Sequence, residues 1–148
     1  MTIRKATMED VEAIARFQVA MADESEGTVL DYDRVLRGVT EGMRDPAKGI
    51  YLVAENEGER MGSLLITREW SDWRCGWYWW IQSVYVRPEF RRQGVYRAMY
   101  AEVKALAREE GAPCVRLYVD RTNERGVMTY EALGMRESHY LMYEEFIA

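Results

Sequence analysis

One segment limits the folds open to this chain more than any other: Val84-Tyr85-Val86-Arg87-Pro88-Glu89-Phe90-Arg91-Arg92-Gln93-Gly94-Val95-Tyr96-Arg97. It reads as an apolar strand, a loop stopped by Pro88 and carrying Arg91 and Arg92, and a glycine that opens a helix. After Gly94, apolar residues fall at Val95, Met99, Val103, Leu106 and Ala107, the three-and-four spacing of one helical face. A loop that feeds a helix start gathers unpaired backbone N–H groups at one point, and the helix dipole adds partial positive charge there. Such a point suits an anion, most naturally a phosphate or diphosphate. Gly94 lets backbone approach it, and Arg91, Arg92 or Arg97 can add charge-assisted hydrogen bonds.

A second segment gives the first its meaning: Asn123-Glu124-Arg125-Gly126, then Tyr130, then Leu133-Gly134-Met135, all following the apolar run from Val115 to Val119. Together the two resemble the GNAT superfamily of acyl-CoA-dependent N-acyltransferases over nearly the whole chain. That family holds a pyrophosphate on Arg/Gln-x-x-Gly-x-Gly/Ala, here Arg91-x-x-Gly94-x-Tyr96. Its second signature, Asn-x-x-Ala, Tyr and Leu-Gly-Phe, is here Asn123-x-x-Gly126, Tyr130 and Leu133-Gly134-Met135. Two departures stand out. Tyr96 replaces a small residue, and its ring is expected to turn outward while its N–H stays available. Gly126 replaces alanine inside a helix, at about 1 kcal/mol.

The remaining pattern predicts a single domain over 1–148. Thr2 to Ala6 reads as a strand, and Thr7 with Asp10 as the cap of a helix whose buried stripe is Val11, Ile14, Ala15, Val19 and Ala22. The acidic run Asp23 to Thr28 breaks it. Asp31 caps a second helix with Val35, Leu36, Val39 and Met43 on one face, ended by Asp45-Pro46. Ile50 to Glu55, a turn at Asn56-Glu57-Gly58, and Met61 to Thr67 form a hairpin. Ser71 to Gly76 connects to a long strand, Trp77 to Val86. A helix to about Glu110, a strand Val115 to Val119, a helix Glu124 to Leu133 and a final strand Ser138 to Phe146 complete the order β-α-α-β-β-β-α-β-α-β. That order predicts an α/β fold with a mixed sheet and helices on both faces, which is also the order of the GNAT fold.

Composition narrows the partners. A net charge of −5 argues against general nucleic-acid binding, which needs a basic surface. No run of about 18 apolar residues suggests a membrane span, and the N-terminus lacks the apolar core of a signal peptide. Cys75 and Cys114 have no metal-type spacing and one histidine cannot complete a zinc set, so no metal is expected. A reduced, cytoplasmic protein with two free thiols is the simplest account.

What the resemblance implies is attack of a small-molecule primary amine on the thioester of acetyl-CoA, the co-substrate. The loop Arg91, Arg92, Gln93, Gly94, Val95, Tyr96 and Arg97 would hold the diphosphate. In the family, the strand before that loop splays from its neighbour, so backbone groups of Val84, Tyr85 and Val86 would meet the pantetheine and polarise the carbonyl. Tyr130, a phenol with ordinary pKa near 10, would protonate the departing thiolate. Asn123 would contact the pantetheine arm, cap its own helix, or both.

The base stays open. No acid lies between Trp77 and Val86, where many family members place a glutamate; Gln82 and Ser83 stand there instead and can only orient water. Glu24 and Glu26 compete with an ordinary solvated loop for an acceptor-side role, and His139 is the lone imidazole. Five tryptophans between Trp70 and Trp80 are read mostly as core, with one or two such as Trp80 facing an acceptor or a homodimer partner. Two other readings fit the same residues: an acyl-CoA-binding module without turnover, and an acetyltransferase for protein N-termini or lysines.

Overall fold

The computed structural model describes all 148 residues, in two compact units, Met1–Leu117 and Tyr118–Ala148. The first unit is built on strands β1 (Thr2–Lys5), β2 (Ile50–Asn56), β3 (Glu59–Ser71), β4 (Gly76–Val86) and β5 (Val115–Arg116), paired in that order. Neighbours run antiparallel up to β4, and β5 joins β4 parallel. Helices α1 (Val11–Glu26), α2 (Tyr32–Arg44) and α3 (Val95–Glu109) complete the unit, and α4 (Glu124–Ala132) lies in the second.

Strand alternation sorts the sheet into two faces. Tyr51, Val53 and Leu65 point to one side and pack with Ile14 and Ala15 of α1 and Val39 of α2. The expected apolar stripe of α2, with Val35, Leu36 and Met43, borders that cluster, and the Asp31 carboxylate caps the helix by accepting the Asp33 N–H at 3.1 Å. Leu52, Leu64, Ile66, Trp79 and Ile81 point the other way and are buried. There α3, which touches β1 through β4, buries Val95, Met99, Val103 and Ala107. Helices therefore cover both faces of a mixed sheet, as the element order implied.

The entry of α1 is fixed by an ionic cluster. Asp10 is fully buried and accepts two hydrogen bonds from Arg4 at 2.8 and 2.9 Å, one from Arg60 at 2.6 Å and one from the Thr7 N–H at 2.7 Å. Burial by itself would raise the Asp10 pKa; the hydrogen bonds outweigh it and hold the carboxyl far below its ordinary value. The Thr7–Asp10 capping pair read from the sequence is present, but its larger role is to join β1, β3 and α1.

Several boundaries moved. The acidic run does not break α1, which continues through Glu26 and stops only at Gly27 in the left-handed region, φ 63°. β3 extends four residues beyond the expected Thr67, to Ser71, because β4 pairs with it along its whole length from Gly76. β5 is two residues rather than five. In the second unit no strand forms over Ser138 to Phe146, contrary to the expected final strand. A strand exists only through a partner, and Tyr118–Ala148, taken by itself, contains one helix and no second strand. Cys75 and Cys114 are free thiols, as expected.

Asp10→Asn should destabilise the fold at neutral pH toward the lower end of about 3–5 kcal/mol, since Arg4 and Arg60 keep partial solvent contact. A depressed carboxyl pKa contributes stability above the unfolded value near 3.9 and loses it as pH falls through the lower folded one. The gap between wild type and variant in denaturant melts should therefore close in strong acid; a gap independent of pH would contradict this.

Candidate active site

Two features meet at the end of β4. The first is the loop. Arg87-Pro88 ends the strand, a 3-10 turn spans Pro88–Phe90, and Arg92 and Gly94 both take positive φ, 62° and 81°. Gly94 is the N-cap of α3 and offers no side chain to its first-turn N–H groups. A Cβ at Gly94 would meet nothing within 4 Å, so the space before those amides is open. Left-handed positions close to a helix start turn N–H groups inward to form an anion-binding concavity. Buried Val95 and Met99 fix the helix beneath it, and Arg92, Gln93 and Arg97 stand exposed around it. The residues present fit a diphosphate.

The second feature is a bulge. Ser63 pairs with Tyr85 and Leu65 with Gln82, so Leu64 faces two residues, Ser83 and Val84, that have no register partner in β3. Ser83 takes φ 55°, a conformation that costs a non-glycine residue about 1–3 kcal/mol. The Ser83 carbonyl accepts a 3.4 Å hydrogen bond from Gln18 Nε2, on α1. On the other edge the β4–β5 ladder ends at Trp80–Arg116, and β4 runs on to Val86 with no residue of β5 paired to it. Of Val84, Tyr85 and Val86, only Val84 lies off the β3 ladder. Next to the bulge, Gly62 lets β3 approach closely: a Cβ there would stand 2.4 Å from the Tyr85 carbonyl oxygen.

Glu24 closes the site from α1. Arg91 donates to it at 2.7 Å and Tyr85 at 3.0 Å, while Arg91 Nε also donates to the Val86 carbonyl at 2.8 Å. The hydrogen bond from Arg91 is the main cause that lowers the Glu24 pKa; burial opposes it, and Tyr85 assists. Burial first, then Glu24, raises the Tyr85 phenol. Glu24 thus stands as an ion-pair partner of the loop, and a carboxylate so stabilised is a weak base. Arg91 reaches across to α1 and β4 while its side chain stays substantially exposed. Glu26 is exposed at the end of α1 and His139 is exposed in the second unit beside the Tyr140 ring.

The tryptophans divide differently from the expectation. Only Trp79 joins the core, at 1% exposure; Trp70, Trp73 and Trp77 are exposed, Trp70 and Trp77 edge-to-face at 5.0 Å. Trp70 and Trp77 pair across the last rungs of the β3–β4 hairpin, and Trp73 lies in the turn between the strands. Trp80, Gln82 and Thr67 share the α1 side of the sheet. Gln82 Nε2 donates to Thr67 Oγ1 at 2.8 Å, and Trp80 Nε1 donates to Glu69 at 2.8 Å. Arg116 lies 4.3 Å from the Tyr78 ring and 5.4 Å from that of Trp80. The Tyr96 ring stacks on Tyr100 with 6.1 Å between centroids, half-buried along α3 rather than turned outward.

In the second unit Asn123 caps α4, its Oδ1 accepting the Gly126 N–H at 2.9 Å. A Cβ at Gly126 would fall 2.6–3.0 Å from the Asn123 amide, which explains glycine at that position. Tyr130 is half-buried in α4, and burial raises its phenol pKa. Gly134, φ 102°, ends the helix.

The sequence reading passed over Gln18, the Ser83 bulge and Glu69. Gln18 has a visible signal, a polar residue three and four positions after Ala15 and Ile14 on the apolar face of α1. A cleft of about 610 Å³ also opens between α1 and residues 58–60 and 87–89, but of the expected site residues only Tyr85 lines it.

The Acetyltransferase (GNAT) family model matches residues 9–135. A solved structure described as "a possible acetyltransferase from Clostridium difficile 630" is 39% identical, covers 99% of this chain and 97% of its own, and superposes with a TM-score of 0.93. Aminoglycoside N(6')-acetyltransferase type 1 of Stenotrophomonas maltophilia is 28% identical over 96% of this chain and 90% of that protein. Thialysine N-epsilon-acetyltransferase of Bos taurus is 33% identical over 57 residues, 38% of this chain and about a third of that enzyme (34%). With a glycine-opened helix start after a bulged strand and a family model spanning most of its length, the chain belongs to the GNAT family of acetyltransferases.

Proposed function

We propose that this protein transfers the acetyl group of acetyl-CoA to a primary amine of a small molecule by direct attack. The observation that carries the reading is the adjacency, within one strand–loop–helix segment, of the off-ladder Val84 backbone and the open amides at Gly94. The first suits a carbonyl that gains negative charge, and the second suits a diphosphate. Similarity to an aminoglycoside acetyltransferase over nearly the full chain supports a small amine as acceptor.

The amine must first lose a proton from its ammonium form, whose pKa is near 10. Its lone pair then forms the N–C bond, the carbonyl oxygen takes the negative charge, and the C–S bond breaks as that charge returns. The nitrogen sheds its second proton to water. Tyr130 donates a proton to the CoA thiolate and regains one from solvent. A phenol raised by burial stays protonated through neutral pH, as a donor must. Asn123 keeps Tyr130's helix capped, and with Glu24 paired to Arg91 the amine's proton passes to solvent. The chain is read as acting in the cytoplasm, without metal.

Tyr130→Phe should lower kcat by about 100- to 10,000-fold while leaving the CoA-induced thermal shift intact. Gly94→Asp should lose that shift, about 2.7 kcal/mol of stabilisation for CoA at 100 times its dissociation constant. Thiol release from acetyl-CoA with a panel of amines, aminosugars included, tests the reaction. Tight CoA binding with no transfer to any amine would replace the enzyme reading with a binding module, and an unchanged shift in folded Gly94→Asp would overturn the loop assignment.

A further inference from the structure

We propose that Gln18 is a positioning residue for acetyl transfer: it holds the Ser83 carbonyl and thereby fixes the Val84 N–H as the donor to the thioester oxygen. The inference rests on the acetyl-CoA reading above. Three observations lead to it. Ser83 and Val84 have no register partner in β3, so the regular alternation of the ladder is interrupted at the peptide between them. Ser83 holds a left-handed conformation that serine rarely adopts, so something outside the strand maintains it. The Ser83 carbonyl instead receives Gln18 Nε2 from α1, the only hydrogen bond the structure gives this glutamine, which is 8% exposed.

The geometry of the peptide unit does the rest. No peptide bond in the chain is cis, and in a trans unit the C=O and the following N–H point in opposite directions. Drawing the Ser83 oxygen toward α1 therefore turns the Val84 N–H away from α1. A glutamine suits the task because its amide is a neutral donor that reaches across from a helix whose ends are both pinned. Asp10 ties the start of α1 to Arg4 and Arg60, and Glu24 ties its end to Arg91 and Tyr85. A donor so held needs no reorganisation when charge develops on the thioester oxygen.

Gln18→Met keeps length and apolar burial but removes the donor. We expect kcat to fall at least about tenfold, short of the 100- to 1,000-fold that follows loss of an entire oxyanion donor, with KM for acetyl-CoA within about twofold. The second readout is independent of any acceptor. Infrared difference spectra of bound acetyl-CoA, 13C-labelled at the acetyl carbonyl, should show the band displaced to lower wavenumber in wild type and returned toward that of free acetyl-CoA in Gln18→Met. Gln18→Glu, of equal length and without a donor when ionised, should behave alike and serves if the methionine variant does not fold. A variant band that coincides with a displaced wild-type band, or a kcat loss matched by an equal loss of CoA-induced thermal shift, would overturn the role of Gln18 alone. Wild-type protein that binds no acetyl-CoA would overturn the acetyl-transfer reading itself, and bound acetyl-CoA with an undisplaced band would remove Val84 as the donor.

Discussion

A strand in a sheet normally keeps step with its neighbours residue by residue, and the chemistry proposed here depends on one place where β4 does not. β4 is paired along β3 from Gly76 to Gln82, leaves the register at Ser83 and Val84, and rejoins it at Tyr85. On its other edge it has β5 beside it only at Trp79 and Trp80. Strand pairing is thus interrupted at the residues that lead into the Gly94 loop. Everything else in the first unit can be seen as keeping that stretch in one shape. Gly62 allows β3 to close tightly beyond it, α3 anchors the loop through Val95 and Met99, and α1 braces it from above through Gln18 and Glu24.

Electrostatics place the bracing helix. Two arginines converge on a buried Asp10 at one end of α1, and at the other end a carboxylate meets Arg91 and Tyr85. The two contacts differ in kind. Asp10 is sealed from solvent and structural, whereas Glu24 and Arg91 are both exposed by more than two fifths, so solvent weakens their pair.

Much of this was legible in the residues, and the exceptions share a cause. The α3 stripe, the Gly94 opening, the β2–β3 hairpin and the Asn123 cap all depend on contacts within a few positions, which spacing reports directly. The bulge does not: Ser83 looks like any strand residue until Leu64 is found facing two residues. Gln18 and Ser83 are 65 residues apart, and Glu24 and Arg91 are 67 apart. No periodicity carries such pairs. The acidic run at Asp23 carries no stop signal of its own, and α1 ends instead at Gly27 through its left-handed backbone. The tryptophans also depart from expectation. Read as core, three of the five instead lie at the open end of the β3–β4 hairpin and stay in solvent.

The most direct measurement is a crystal structure of the protein with coenzyme A. The account predicts the diphosphate seated on the amides from Gly94 to Arg97 and the pantetheine thiol end leading toward Val84. Coenzyme A bound away from that helix start, with the amides at Gly94 facing only solvent, would contradict it.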